Sequence, residues 1–310
     1  MAIVVVGSVA YDGIKSPSGS VDRCLGGAAT YFALAASYFT QVRIVAVVGD
    51  DFSQEDENVL RSRKIDTRGI EHTKGKSFFW RGEYGENLNE AKTLETQLNV
   101  FQTFNPQVPS EYLDSEFLFL ANIDPVLQGN VRAQMDGRVK LVGGDTMNYW
   151  ITDPNHRKNL FQTLKGVDVL LINDTEAKLL ATEPSVPRAA QKILQMGPRA
   201  LVIKHGEYGA TVFFKEGEFG GGRHPFRAPA LPLEEVRDPT GAGDSFAGGF
   251  MGHIASQNRL DREVFKRAMF YGGVMGSFAV ERFGTERLQA LTRQEIDIRY
   301  QVFRELTHIG

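Results

Sequence analysis

The densest chemistry in this sequence lies three quarters of the way along it, in Asp238-Pro239-Thr240-Gly241-Ala242-Gly243-Asp244-Ser245-Phe246, followed by Ala247-Gly248-Gly249-Phe250. Gly241-Ala242-Gly243 opens directly into a helix of small and apolar residues, so backbone N–H groups stand at a helix N-terminus with no bulky side chain before them. That arrangement receives an anion. Asp244 falls in the first helical turn, where the positive end of the helix dipole favours its charged form. A carboxylate beside an anion hole would repel the ligand if its task were binding. It makes sense as a base that takes a hydroxyl proton while the N–H groups stabilise charge on a transferring phosphoryl group. Taken alone, Asp244 reads equally well as a capping residue after a glycine turn.

The elements that must position this turn are written in short apolar runs: Ile3 to Val6, Ile44 to Val48, Phe117 to Ala121, Val139 to Val142, Val167 to Ile172, Ala200 to Lys204 and Ala210 to Phe214. Helical patterns separate most of them, at Ala28 to Phe39, His156 to Leu164, Thr175 to Ala181, Arg188 to Met196, Ser245 to Ala255 and Val264 to Glu281. Continuous apolar strands alternating with helices predict a doubly wound α/β fold, its mainly parallel sheet covered on both faces. Two segments break the rhythm. Gly7 to Asp22 carries turn-formers and no helix, and Lys76 to Phe101 is rich in aromatic residues, Thr and Asn. Both read as strands of a small β lid, formed by about 10–25 and 76–102 and inserted in one domain spanning 1–310. Such a lid would lie over the C-terminal strand ends, where α/β sheets place ligands. An ordinary pair of edge hairpins is the alternative.

Composition narrows the partners. Of 310 residues, 42% are hydrophobic and 24% charged, enough for a large core and against disorder. A net charge of −3 offers no electrostatic footprint for nucleic acid or an anionic membrane, which leaves a small molecule as the expected partner. Cys24 is the only cysteine, so no intramolecular disulfide and no CxxC zinc site is available. With no signal-like N-terminus and no apolar stretch of membrane-spanning length, a cytoplasmic location is expected.

Asp-x-Thr-Gly-Ala-Gly-Asp-Ser-Phe followed by Gly-Gly-Phe resembles the C-terminal signature of the PfkB, or ribokinase-like, carbohydrate kinases. Further resemblances run along nearly the whole chain: Val4-Val5-Val6-Gly7-Ser8 leading to Asp12, Gly26-Gly27 before a helix, Gly49-Asp50-Asp51, Asn173-Asp174-Thr175-Glu176, and Lys204-His205-Gly206-Glu207-Tyr208-Gly209. The resemblance implies ATP-dependent transfer of the γ-phosphoryl group to a hydroxyl of a sugar or polyol, with a nucleoside as alternative acceptor. An idle nucleotide or metabolite sensor on the same scaffold is the reading from another class. Asp244 matches the family's catalytic base, and Gly241, Ala242 and Gly243 its anion hole. Asp12, Gly26 and Gly27 match positions that hold substrate hydroxyls. Asn173 and Glu176 match the motif that orders Mg2+ and phosphates through water. Asp238 and Thr240 match ligands of a monovalent-cation site, which adds K+ to the expected ATP and Mg2+, although Pro239 replaces the commoner Thr. Lys204, Gly206 and Gly209 match the loop whose backbone lines the nucleotide, and Gly272, Gly273, Gly276 and Ser277 offer small residues against which adenine could lie; helix packing accounts for Gly273 and Ser277 equally well.

The sequence also departs from the pattern. Tyr31 stands where many sugar kinases of the family carry a substrate-binding Asn, and could stack a ring or pack the helix. Lys204-His205 replaces the expected Thr or Ser of the nucleotide loop. Lys76, Trp80, Arg81 and Tyr84 are lid candidates for closing over substrate, with Arg81 placed to reach a transferring phosphate. Asn122 and Asp145 follow strands and would reach the crevice, though polar turn chemistry explains them too. Gly75-Lys76-Ser77 lacks the earlier glycine of a Walker A loop, and no GxGxxG occurs. The six histidines, His308 among them, show no metal-ligand spacing. An exposed lid edge would offer a seam for a homodimer.

Overall fold

The computed structural model describes residues 1–135, 137–222 and 224–307, so His308 lies outside the described residues. In chain order the strands and helices are β1 (Ala2–Val6), β2 (Ala10–Ser16), β3 (Gly19–Gly26), α1 (Ala28–Ala36), β4 (Gln41–Val48), α2 (Gln54–Ser62), β5 (Asp66–His72), β6 (Phe78–Tyr84) and β7 (Ala91–Gln97). The second part of the chain adds β8 (Phe117–Leu120), α3 (Pro125–Gln134), β9 (Leu141–Gly144), α4 (Asn148–Thr152), α5 (Pro154–Leu164), β10 (Val169–Asn173), α6 (Asp174–Ala181), α7 (Val186–Gln195) and β11 (Ala200–Lys204). It closes with β12 (Ala210–Phe214), β13 (Phe226–Ala228), α8 (Ala242–Ala255), α9 (Arg262–Ala279), α10 (Glu286–Ala290) and α11 (Arg293–Thr307).

Nine strands form one sheet in the order β13-β12-β11-β10-β9-β8-β1-β4-β5, antiparallel only at β12 and β13. Strand β1 is buried along its whole length and alternates its side chains between two cores. Ile3 and Val5 join the core under α1, α8, α9 and α11, while Val4 and Val6 join the one covered by α3, α5, α6 and α7. This is the burial on both faces that an uninterrupted apolar strand demands. From β1 the chain builds outward through β4 and β5, then returns to β8 and builds the other way, so the switch in strand order lies between β1 and β8. Crevices open at such points, outside the carboxyl ends of the strands.

Strands β2, β3, β6 and β7 form a separate four-stranded sheet in the order β3-β2-β6-β7, with β2 parallel to β6. It holds the two segments that broke the helix–strand rhythm. Its anchor is the loop after β4: Asp50 accepts from the Gly75 N–H, and Asp51 accepts from the Ser77 N–H and pairs with Arg23. One boundary moved. Strand β9 lies two residues beyond the apolar run at Val139, because Gly143 and Gly144 pair with β8 and β10 where Met251 leaves no room for a β-carbon on Gly143. The edge strands β5 and β13 and helices α2, α3, α4, α10 and α11 are additions to the sequence reading.

Candidate active site

Helix α8 is buried from Ser245 to Ala255, whereas Gly241, Ala242, Gly243 and Asp244 remain partly exposed; the glycine turn is the end of α8 that opens to a ligand. Its placement follows from packing. Gly248 meets the Phe32 carbonyl of α1 and Gly249 the Tyr271 carbonyl of α9, approaches that any β-carbon would block. Gly241 takes a left-handed conformation, φ 72°, and a β-carbon there would fall 2.3 Å from the Tyr31 ring. Asp238, fully buried, fastens the turn from behind: it accepts from the Thr240 N–H at 2.8 Å and the Gly284 N–H at 2.7 Å. Of the three expected anion-hole residues, Ala242 already gives its N–H to the Pro239 carbonyl, at 3.2 Å. Gly243 and Gly241 therefore carry the amides open to a ligand.

Five carboxylates converge here. Asp12, on the lid, is 4% exposed; a β-carbon on Gly26 would lie 1.9 Å from its Oδ2. Burial pushes its acid up to about 7, helped by the negative charges of Asp238 and Asp244. Burial likewise raises Asp238. Asp145, at the end of β9, is buried and raised well above the usual range, first by desolvation and then by Asp244; its Oδ1 has no hydrogen-bond partner among the described residues. Glu176 is raised by burial and opposed by Lys204. It also forms a reciprocal capping box with Asn173, each side chain accepting the other's N–H at 2.8 Å, which starts α6. Asp244 is raised to about 6, chiefly by desolvation, with Lys204 opposing and Glu176 adding. Were Asp244 to act as a base it would have to be unprotonated, and turnover would fall as the pH drops through about 6, with an acid limb in kcat that Asp244→Asn abolishes; a flat profile from pH 5 to 8 contradicts a titrating base.

The lid reaches the same turn. Asp12, Trp80, Gly82 and Tyr84 share one face, since Asp12 pairs with Trp80 in register and successive side chains alternate. The Thr240 hydroxyl donates to that of Tyr84, at 3.1 Å. The Trp80 indole lies against Gly82, where a β-carbon would meet the ring at 2.1 Å, and donates to Thr93. Gly27 (φ 95°) makes the hinge into α1, wedged between the Ser8 carbonyl and the Ala10 nitrogen.

Other predicted residues stand elsewhere. Arg81 is on the opposite face of β6, facing Gly13 and paired with Asp22 and Glu95, and does not join the cluster. Tyr31 is 1% exposed, its ring spent on Gly241, so it has no free face for stacking. Asn122 is engaged by the Trp150 indole N–H at 2.8 Å. Gly273 turns toward Phe303 of α11, and Ser277 bonds Val274 and Arg299, so both serve helix packing. It is Gly276 that faces the Ala242 carbonyl and leaves α9 small beside the turn. Gly206 and Gly209 shape the loop after β11, both with positive φ. Over Gly206 sits Asn89 of the β6–β7 connection, a lid-to-loop contact with no sequence signal beyond a polar turn. No group of three or more His, Cys, Asp or Glu that could hold a metal occurs among the described residues.

A profile described as pfkB family carbohydrate kinase matches residues 2–291. Cytidine kinase of Thermococcus kodakarensis is 30% identical over 267 residues, covering 84% of this chain and 91% of that protein. Among solved structures, a double mutant of Vibrio cholerae O395 fructokinase with fructose, ADP and potassium superposes with a TM-score of 0.80 at 18% identity, covering 96% of this chain and 98% of the other. Methanocaldococcus jannaschii nucleoside kinase gives 0.75 at 19% identity, with 97% and 98% covered. These two structural likenesses speak to the fold.

Proposed function

The chain belongs to the pfkB family of carbohydrate kinases and is an ATP-dependent kinase of a hydroxyl acceptor, and we propose that Asp244 is its base, Gly241 and Gly243 its anion hole, and Asp12 its grip on the acceptor. The observation that carries this reading is the partly exposed turn of an otherwise buried helix, with Asp244 on it and the lid carboxylate Asp12 close enough to feel its charge. In the proposed step the acceptor oxygen bonds to the γ-phosphorus as the bond to the β,γ-bridging oxygen breaks. The acceptor proton passes to Asp244, and ADP departs. Asp12 accepts hydrogen bonds from neighbouring hydroxyls, and the Gly243 N–H faces the charge that spreads over the transferring oxygens.

Magnesium fits the donor set. The unpartnered Asp145 Oδ1 and the raised Glu176 carboxylate are hard oxygen ligands near Asp244, and ATP phosphates would supply the remaining oxygens. Bound there, the ion would neutralise phosphate charge. The buried Asp238, held by two amides, together with Thr240 suits a monovalent cation behind the turn. A second copy docking on the exposed β7 edge, and a cytoplasmic location, remain parts of the same reading.

A flat ring beside the sugar fits best. Trp80 shares the face of Asp12 and packs its indole against Gly82, a platform that a bare polyol would not need, and a relative with 91% of its length matched is a cytidine kinase. We therefore favour a nucleoside over a free sugar. The test is a turnover panel of cytidine, inosine, adenosine, ribose, fructose and myo-inositol, read by ADP release. Trp80→Ala should raise the nucleoside KM at least 10-fold, the scale of base–aromatic stacking, and leave the ATP KM unchanged. Preference for fructose or inositol, or a Trp80→Ala variant with unaltered KM, removes the nucleoside reading while leaving the kinase intact.

A further inference from the structure

Lys204 ends β11 with its ammonium over the glycine turn: a β-carbon built on Gly243 would lie 2.9 Å from Nζ. Asp145, Glu176 and Asp244 all feel its charge, yet among the described residues its ammonium makes no ion pair or hydrogen bond. The nearby carboxylates Asp145, Glu176 and Asp244 offset the partial burial of this ammonium without closing an ion pair on it. Its position facing the N-terminus of α8, the positive end of the helix dipole, is unfavourable in itself. That repulsion is relieved when an anion sits between the ammonium and the amide.

We propose that Lys204 Nζ grips the γ-phosphoryl group of ATP against the Gly243 amide and stays on it through transfer. The inference rests on the kinase reading of the same site and assigns to the side chain a task separate from the expected backbone contact of its loop. Lysine forms no covalent bond and gives up no proton; it cancels charge on the moving group. Placed opposite Gly243, the ammonium would be displaced by an alanine there through a small shift of a flexible side chain.

The test compares wild type with Lys204→Met, which keeps the length of the chain and removes the charge, and with Lys204→Arg, which restores charge. Calorimetric titration with Mg-ADP and with the Mg complex of the non-hydrolysable β,γ-imido analogue isolates the γ-phosphate, and thermal melts establish that each variant is folded. Wild type should bind the analogue more tightly than ADP. Lys204→Met should lose that advantage, about 10-fold or more, with ADP affinity retained and kcat reduced about 10²–10³-fold, and Lys204→Arg should recover part of both. Equal loss of ADP and analogue affinity, an analogue advantage that survives in Lys204→Met, or kcat within threefold of wild type overturns the proposal. Wild-type turnover tests the kinase reading separately, so a protein that transfers phosphate normally as Lys204→Met leaves the reading standing and removes only the lysine.

Discussion

Asp244→Asn is expected to lower kcat by about 10²–10⁴-fold while the protein stays folded and still binds its acceptor and MgATP. Asparagine keeps the shape of the side chain at the first turn of α8 and loses the proton acceptor. The substitution also removes one of the negative charges that crowd Asp12 and Asp145. Binding should therefore hold or tighten as turnover falls, a split that simple unfolding cannot mimic. Steady-state kinetics beside titration of acceptor and nucleotide reads it. Near-full turnover would remove Asp244 as the base, and a parallel collapse of binding would make it a structural residue.

The second large effect belongs to Gly241→Ala. Left-handed backbone costs an alanine roughly 1–2 kcal/mol, and the new methyl would meet the Tyr31 ring at 2.3 Å. Tyr31 cannot retreat, being buried in the core beneath α8. The turn must move instead, taking the Gly243 amide and Asp244 with it. The expected result is a loss of at least 10²-fold in kcat, the scale of a missing oxyanion donor, with a lowered melting temperature. Adding Tyr31→Leu should restore part of the stability and little of the turnover, because it relieves the collision while the φ penalty stays. A Gly241→Ala enzyme with unchanged kcat would show that the turn tolerates displacement and does not hold the reacting group.

The sheet was legible wherever burial on both faces forced an unbroken apolar run, as in β1, β4, β8, β11 and β12. It was illegible at β5, whose Asp-Thr-Arg-Gly-Ile-Glu-His carries the polar pattern of an edge, and read two residues early at β9, where two glycines pair under Met251. The lid could be read as strands outside the main layer, but the face on which each residue stands depends on register. Pairing β2 parallel to β6 puts Trp80 beside Asp12 and sends Arg81 to the other side. The glycine turn and Asp244 were visible because their chemistry is local. Lys204 could be placed on the nucleotide loop, yet its direction depends on how β11 meets α8, a long-range fact that spacing does not encode. Helix α9 was legible only in part for a related reason: its small residues fall on two faces, and of those read from the sequence Gly276 turns toward the site while Gly273 turns to Phe303.

The indole on Gly82 has an optical consequence. The chain contains two tryptophans, and Trp150 is occupied with Asn122, Tyr149 and His156. With Trp150 replaced by Phe, emission would come from Trp80 alone, a fluorophore in the wall of the proposed acceptor cleft. Arrival of the acceptor could then be followed in milliseconds without any label, separating its binding from the chemistry that follows.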